Sequence, residues 1–223
     1  MSYGNTFKVW REYAALDWVS YTRHAFVKGL GDGTLPREAF LKYLVQDYIF
    51  LIHFSRAWAL AVTKSETIEE MRLAASTVNA LINEEIGLHI RICAEAGISE
   101  VDLFNAEEMP ENIAYTRYVL DAGHSGDLLD LLAALAPCIM GYGEIGMYLS
   151  TNKSSNKYSD WISTYACEEY QEVCKDVGAL IDNAIIRRVG NIPQNAPRWN
   201  SLCCRFQMAT KLEVGFWNMG LDL

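Results

Sequence analysis

Apolar positions recur along the chain every three to four residues and nowhere alternate, so the pattern predicts helices throughout and no strand. A first helix is expected from Thr6 to Leu30, with Trp10, Tyr13, Ala14, Trp18, Tyr21 and Ala25 at helical spacing, closed by Gly29, Gly31 and Gly33. Thr34 reads as an N-cap, placing Leu35 and Pro36 in the first turn of a second helix that runs to about Thr63. This helix is apolar almost all round, as suits the interior of a bundle. Its Phe40, Leu44, Asp47, Phe50 and Phe54 share a face. Asp47 therefore stands among aromatic rings, where a carboxylate needs strong partners from a neighbouring helix, water or a ligand.

The capping box Thr67-Ile68-Glu69-Glu70 opens a third helix reaching Gly97, with Glu85 and His89 four residues apart. A short helix is expected between Ser99 and Glu107, and Pro110 starts a segment that carries Tyr115 and Tyr118 and ends near Gly123. Ser125 and Asp127 launch the most apolar helix, ending about Leu149. On it Leu131, Leu135, Cys138 and Tyr142 fall on one face, and Pro137 predicts a kink just before the thiol. Gly141, Gly143 and Gly146 each cost a helix about 1 kcal/mol against alanine, so something must approach that backbone closely. Cys138 is thus either the floor of a pocket or a buried cysteine in a tightly packed helix.

Thr151 to Lys157 reads as a loop, after which Trp161, Tyr165, Tyr170 and Val173 resume a helical pattern from Tyr158. Gly190 to Pro197 is a second loop, broken by Pro193 and Pro197. In the last helix, from about Arg198, Leu202, Phe206, Ala209, Glu213 and Phe216 form a stripe that Glu213 interrupts. A carboxyl there titrates upward unless a cation is near, which suits it to move protons near neutral pH, although a hydrogen-bonded structural glutamate fits the same pattern.

Composition narrows the classes. The 223 residues are 51% hydrophobic and carry a net charge of −9, which argues against nucleic acid or an anionic membrane as partner. The longest unbroken apolar run, Leu131 to Met140, is well short of the ~20 residues that span a bilayer, and the N-terminus has no signal-peptide core. Six cysteines without a Cys-x-x-Cys pair read as reduced thiols of a cytoplasmic protein. No histidine has a glutamate three residues before it, so the paired Glu-x-x-His motifs of a di-iron bundle are missing. His89 then reads as a hydrogen-bonded histidine, with no metal or cofactor called for. Nucleotide-binding and serine-hydrolase signatures are absent. The residues alone describe one all-α domain over 1–223 whose carboxylates, thiol and tyrosines converge on a cavity fit for a small flat heterocycle.

Six stretches in order add a resemblance. They are Gln46-Asp47-Tyr48-Ile49-Phe50 with Phe54-Ser55-Arg56-Ala57; Glu84-Glu85 with His89; Ala114-Tyr115; Ala136-Pro137-Cys138-x-x-Gly141-Tyr142-x-x-Ile145-Gly146; Trp161-Ile162-x-x-Tyr165; and Ala209-Thr210-x-x-Glu213-x-x-Phe216-Trp217. Together they resemble the TenA family, the thiaminase II group, in its cysteine-bearing branch. The resemblance implies a haem-oxygenase-like helical bundle without haem, assembled as a homotetramer. It implies hydrolysis of the C–N bond at the 5-methylene of 4-amino-2-methylpyrimidines, either thiamin or, in salvage, 4-amino-5-aminomethyl-2-methylpyrimidine, to the 5-hydroxymethyl pyrimidine. By the same resemblance Cys138 is the nucleophile and Glu213 the acid/base, while Asp47 binds the aminopyrimidine edge. Tyr115, Tyr142, Tyr165 and Phe216 contact the ring or support the thiol, and Phe50 stands where several members have a tyrosine. The competing classes are a di-iron or quinone-forming oxidase of the same fold type and a non-enzymatic pyrimidine-binding or regulatory protein.

Overall fold

In a computed structural model, which describes residues 3–191, 194 and 196–222, the chain is an all-α bundle. In chain order the helices are α1 (Asn5–Tyr13), α2 (Ala15–Thr22), α3 (Ala25–Asp32), α4 (Arg37–Lys64), α5 (Ile68–Ala80), α6 (Ile86–Glu95), α7 (Glu100–Phe104), α8 (Pro110–Ser125), α9 (Leu128–Asn152), α10 (Ser159–Ala166), α11 (Glu168–Arg188) and α12 (Trp199–Leu221). A single π-turn, Leu81–Glu85, joins α5 to α6.

Most boundaries follow from local chemistry. Asp127 caps α9 by accepting from the Leu129 and Asp130 N–H groups, while Asp130 reaches back to the Asp127 N–H. Ser99 and Asp102 do the same for α7. The Thr67 hydroxyl accepts from the Glu70 N–H, but the Glu70 carboxylate goes to the Glu66 N–H and to Arg188 instead of closing the box.

Other boundaries differ from the sequence pattern. The expected first helix is three, broken at Ala14 and at Arg23–His24. Neither break has a glycine or proline to signal it; the His24 ring acts as the cap of α3, its Nδ1 accepting from the Phe26 N–H at 3.2 Å. The break turns Phe7 and Trp18 together onto Phe206 of α12 and leaves Tyr13, expected inside, exposed. Pro36, not Thr34, is the N-cap of α4, because the Thr34 hydroxyl donates to Asp32 Oδ1 at 2.6 Å. The segment from Tyr158 is two helices, with the Cys167 thiol accepting the Tyr170 N–H between them. Thr151 and Asn152 extend α9 into the expected loop, and Pro137 is carried inside one continuous helix. Pro193 lies outside the described residues.

α9 is the axis of the fold. It packs on α8, α10, α11 and α12, and α12 packs in turn on α2, α4 and α8. By length and composition α9 could cross a membrane, but 83% of its most apolar window is buried inside the bundle. A helix enclosed on so many sides needs side-chain-free notches. A Cβ on Gly141 would stand 2.1 Å from Tyr21 Cε1, and one on Gly146 would stand 2.5 Å from the Tyr165 backbone. Gln171 locks that second approach, donating to the carbonyls of Gly143 and Tyr165 at 3.1 and 2.9 Å.

Gly141→Ala should therefore destabilise the protein by about 1–3 kcal/mol, since the Tyr21 ring is held among buried neighbours and must move. Gly215→Ala, in α12 with nothing within 4 Å, should instead stabilise by up to ~1 kcal/mol through helix propensity alone. Urea denaturation of the two variants against the parent measures both.

Candidate active site

α4 contributes Asp47 and, one turn earlier, Tyr43. Both are buried, and Asp47 Oδ2 accepts the Tyr43 O–H at 2.8 Å and His89 Nε2–H at 2.7 Å. The other ring nitrogen, His89 Nδ1, stands 2.9 Å from the Glu85 carbonyl oxygen. A carbonyl only accepts, so Nδ1 carries a proton, and an ionised carboxylate at Nε2 requires the second. Burial disfavours the charged ring, but the hydrogen bond and charge of Asp47, with Glu85 behind them, outweigh it and raise the His89 pKa. Among the described residues the imidazolium is the one cation in this interior cluster.

Tyr43 gives its single proton to Asp47, so its oxygen is left to accept, from Trp161 Nε1–H at 3.3 Å and from the Tyr142 hydroxyl at 3.3 Å. Tyr142 lies one turn after Cys138 on α9, and its ring meets Tyr165, Trp161 and Trp217 at centroid distances of 4.9, 5.8 and 5.5 Å. The Tyr165 hydroxyl donates to Glu85 Oε1 at 2.9 Å.

On the other flank, α12 holds Glu213, and α8 supplies the Tyr115 O–H that donates to Glu213 Oε1 at 2.8 Å. Phe50 packs between Tyr115 and Phe216, at 5.0 and 5.4 Å between centroids. The Tyr21 hydroxyl faces the same carboxyl but misses hydrogen-bond geometry, and it is sealed from solvent without a partner. Burial, reinforced by the charge of Asp47, pushes Glu213 up to about 8 despite the phenol donors. Burial likewise pushes Glu85 up to about 7.

Cys138 lies between these flanks. Its helix neighbours Leu135, Ile139 and Tyr142 are buried, whereas Cys138 itself is only partly buried. Burial, then the charges of Glu213, Glu85 and Asp47, raise its pKa well above the usual thiol range. The resting group is S–H. The carboxyls are likewise incompletely enclosed. Asp47 Oδ1, Glu213 Oε2 and Glu85 Oε2 have no protein partner among the described residues, and none is sealed from solvent. Three carboxyl oxygens and a thiol thus present unused valence to one aromatic-walled interior.

All eight residues singled out in the sequence — Asp47, Phe50, Tyr115, Cys138, Tyr142, Tyr165, Glu213 and Phe216 — come together here. Five others that the sequence did not assign to the site, Tyr43, Tyr21, Trp161, Glu85 and His89, join them. Tyr43 sits four residues before Asp47 and was legible on the same face. Tyr21 was signalled only indirectly, by the bare backbone of Gly141. Trp161 and Glu85 stood in the stretches that carry the resemblance but were given no role in the site, because their place depends on how α10 and the π-turn pack. Among the described residues no three His, Cys, Asp or Glu side chains are grouped to hold a metal ion. The other cysteines are distributed elsewhere: burial pushes Cys93 and Cys203 up to about 11, and Cys167 caps a helix.

Glu213 and Glu85 hold protons more tightly in the folded chain than at their ordinary value of 4.5. Their contribution to stability is complete below that value and is lost as pH climbs through about 7 and about 8. The urea midpoint should fall between roughly pH 4.5 and 8 and level off above that. In Glu213→Gln, which cannot ionise, the fall should be shallower; an unchanged slope would show that Glu213 does not rest protonated.

Residues 12–223 match the TENA/THI-4/PQQC family. A crystal structure of a protein from Silicibacter sp. TM1040, described as a TenA family transcription regulator, superimposes with a TM-score of 0.98 at 61% identity, over 99% of this chain and 98% of that one. An uncharacterised protein of Haemophilus influenzae is 40% identical over 92% of this chain and 94% of its own. The aminopyrimidine aminohydrolase of Halalkalibacterium halodurans is 31% identical over 92% and 90%. A Shewanella denitrificans domain with a heme oxygenase-like fold, 13% identical, shares the fold with a TM-score of 0.73 over 98% of this chain and 92% of its own. The chain is a haem-oxygenase-like bundle and belongs to the TENA/THI-4/PQQC family.

Proposed function

We propose that the protein is an aminopyrimidine hydrolase that replaces the nitrogen on the 5-methylene of a 4-amino-2-methylpyrimidine with hydroxyl, through an adduct on Cys138. The observation that carries this reading is the convergence of a partly accessible thiol with free carboxyl oxygens of Asp47 and Glu213 inside aromatic walls. The named activity of the Halalkalibacterium halodurans relative supports it.

A 4-aminopyrimidine offers an amino N–H to accept at one edge and a ring nitrogen to protonate at the other. Asp47 Oδ1 suits the first, and the protonated Glu213 suits the second. The ring position that is both electrophilic and unsubstituted is C6, next to C5. As the Cys138 sulfur adds there, Glu213 gives its proton to N1 and takes the thiol proton, so no free thiolate is needed in a site that disfavours one. The 4-amino lone pair then pushes through C4 and C5 and breaks the C–N bond of the 5-substituent. Water adds to the methylene left behind, its proton leaves with the departing amine, and reversal of the first transfers frees the thiol. Tyr115 holds Glu213 in place for both transfers. A homotetrameric, cytoplasmic enzyme acting in thiamin salvage completes the proposal, on the family resemblance.

Incubation of the purified protein with 4-amino-5-aminomethyl-2-methylpyrimidine should release ammonia and the hydroxymethyl pyrimidine in equal amounts. Binding without turnover would overturn the reading and point to a regulatory protein. Cys138→Ser should fold and lose turnover, and Glu213→Gln should lower kcat by ~10²-fold while ligand still binds. In the parent, kcat/KM should fall as pH rises through about 8, where Glu213 of the free protein loses its proton.

Phe50 gives a separate test. It is buried beside Tyr115 and Phe216, on the flank of Glu213, and it cannot donate a hydrogen bond. Phe50→Tyr should keep the fold and keep or raise turnover, by adding a donor within an existing aromatic slot. A stable variant with sharply lower kcat would show that the pocket is shaped around the phenylalanine.

A further inference from the structure

Glu85 is a half-buried titratable group that this chemistry leaves without a role. It is the last residue of the π-turn, a helix irregularity that inserts one extra residue and is often found at functional sites. The preceding Ile82, Asn83 and Glu84 face solvent, whereas Glu85 turns inward beside the fully buried His89. One carboxyl oxygen receives the Tyr165 hydroxyl at 2.9 Å, and the other has no protein partner and retains accessible surface. A carboxyl kept inside with half its hydrogen-bonding capacity unused is costly to the fold unless something else uses it.

Its position relative to the other groups limits what that something is. The Glu85 main-chain carbonyl is tied to Asp47 through the His89 ring, by contacts of 2.9 and 2.7 Å, and its carboxyl to the Tyr142 side of α9 through Tyr165, whose ring is 4.9 Å from Tyr142. Glu213 instead belongs to the flank of Tyr115, Phe50 and Phe216. Cys138 feels both carboxyls, while Glu85 and Glu213 do not perturb each other. In the proposed binding mode C4, C5 and C6 follow one another around the ring. With Asp47 at the 4-amino group, Cys138 at C6 and Glu213 beyond it at N1, the 5-methylene projects between Asp47 and Cys138. With Glu213 taken up at N1, the remaining carboxyl whose charge reaches both Asp47 and Cys138 is Glu85.

We propose that Glu85 selects the substrate by its 5-substituent: its free oxygen pairs with a positively charged nitrogen on the methylene, an ammonium or a quaternary ring nitrogen. This rests on the aminopyrimidine reading and deepens it. An ammonium bound there departs as neutral ammonia, the bonding pair leaving with nitrogen, so no acid is needed for departure, and the ammonia then takes up the proton that the attacking water releases. The hydroxymethyl product carries no charge at the same place, so it loses the pairing and leaves more readily.

The test compares two ligands by calorimetry in Cys138→Ser, where turnover does not interfere. The aminomethyl pyrimidine should bind at least ~10-fold more tightly than the hydroxymethyl pyrimidine, by an ion pair formed out of water. Adding Glu85→Gln should remove most of that advantage while the hydroxymethyl affinity stays within ~2-fold. Equal affinities with Glu85 present would overturn the assignment without recourse to the second variant, as would equal losses for both ligands in Glu85→Gln. Binding of the hydroxymethyl pyrimidine without preference for the amine leaves the aminopyrimidine reading standing and rejects only the role of Glu85. Binding of neither rejects both.

Discussion

The hydrogen bond between His89 and Asp47 is the contact on which the interior depends. It joins α6 to α4 at 2.7 Å, and its two partners extend it in opposite directions. Through Tyr43 it reaches Tyr142 on α9 and Trp161 on α10, and through the Glu85 carbonyl it fixes the end of the π-turn. A buried pair of this kind contributes little net stability when intact, but losing one partner costs about 3–5 kcal/mol, because a charge is left stranded. That asymmetry makes it a positioning device. It presents one oxygen of Asp47 to the cavity and commits the other to the frame.

Charge balance follows from the same pair. One imidazolium answers one carboxylate, and no second cation reaches the cluster among the described residues. Glu213 and Cys138 are therefore held in their neutral forms by burial and by each other, and Glu85 is poised near neutrality. The usual activation of a cysteine, a thiolate stabilised by a nearby cation, is closed to this site. In the proposed mechanism the thiol proton is instead transferred in concert with attack, and a protonated Glu213 is the partner for that transfer.

Much of this was legible in the sequence, for identifiable reasons. Asp47 and Glu213 each interrupt an apolar stripe, and a stripe that tolerates a carboxylate records an unusual neighbour. The three glycines after Cys138 recorded close approaches, although only coordinates could say that Tyr21 and the Tyr165 backbone fill them. The breaks at Ala14 and His24 were illegible, since tertiary packing of Phe7 and Trp18 on Phe206 overrides a pattern that is locally helical. The π-turn was equally hidden: one inserted residue leaves no mark on composition, yet it ends at Glu85, whose carbonyl steadies His89 and whose carboxyl enters the site.

The central claim is that the ligand-free site rests with Cys138 as a thiol. Infrared difference spectroscopy of the parent against Cys138→Ser, without ligand and at neutral pH, tests this most directly. The account predicts an S–H stretching band that disappears on substitution. Absence of any such band assignable to Cys138, together with thiolate absorbance in the ultraviolet, would contradict it.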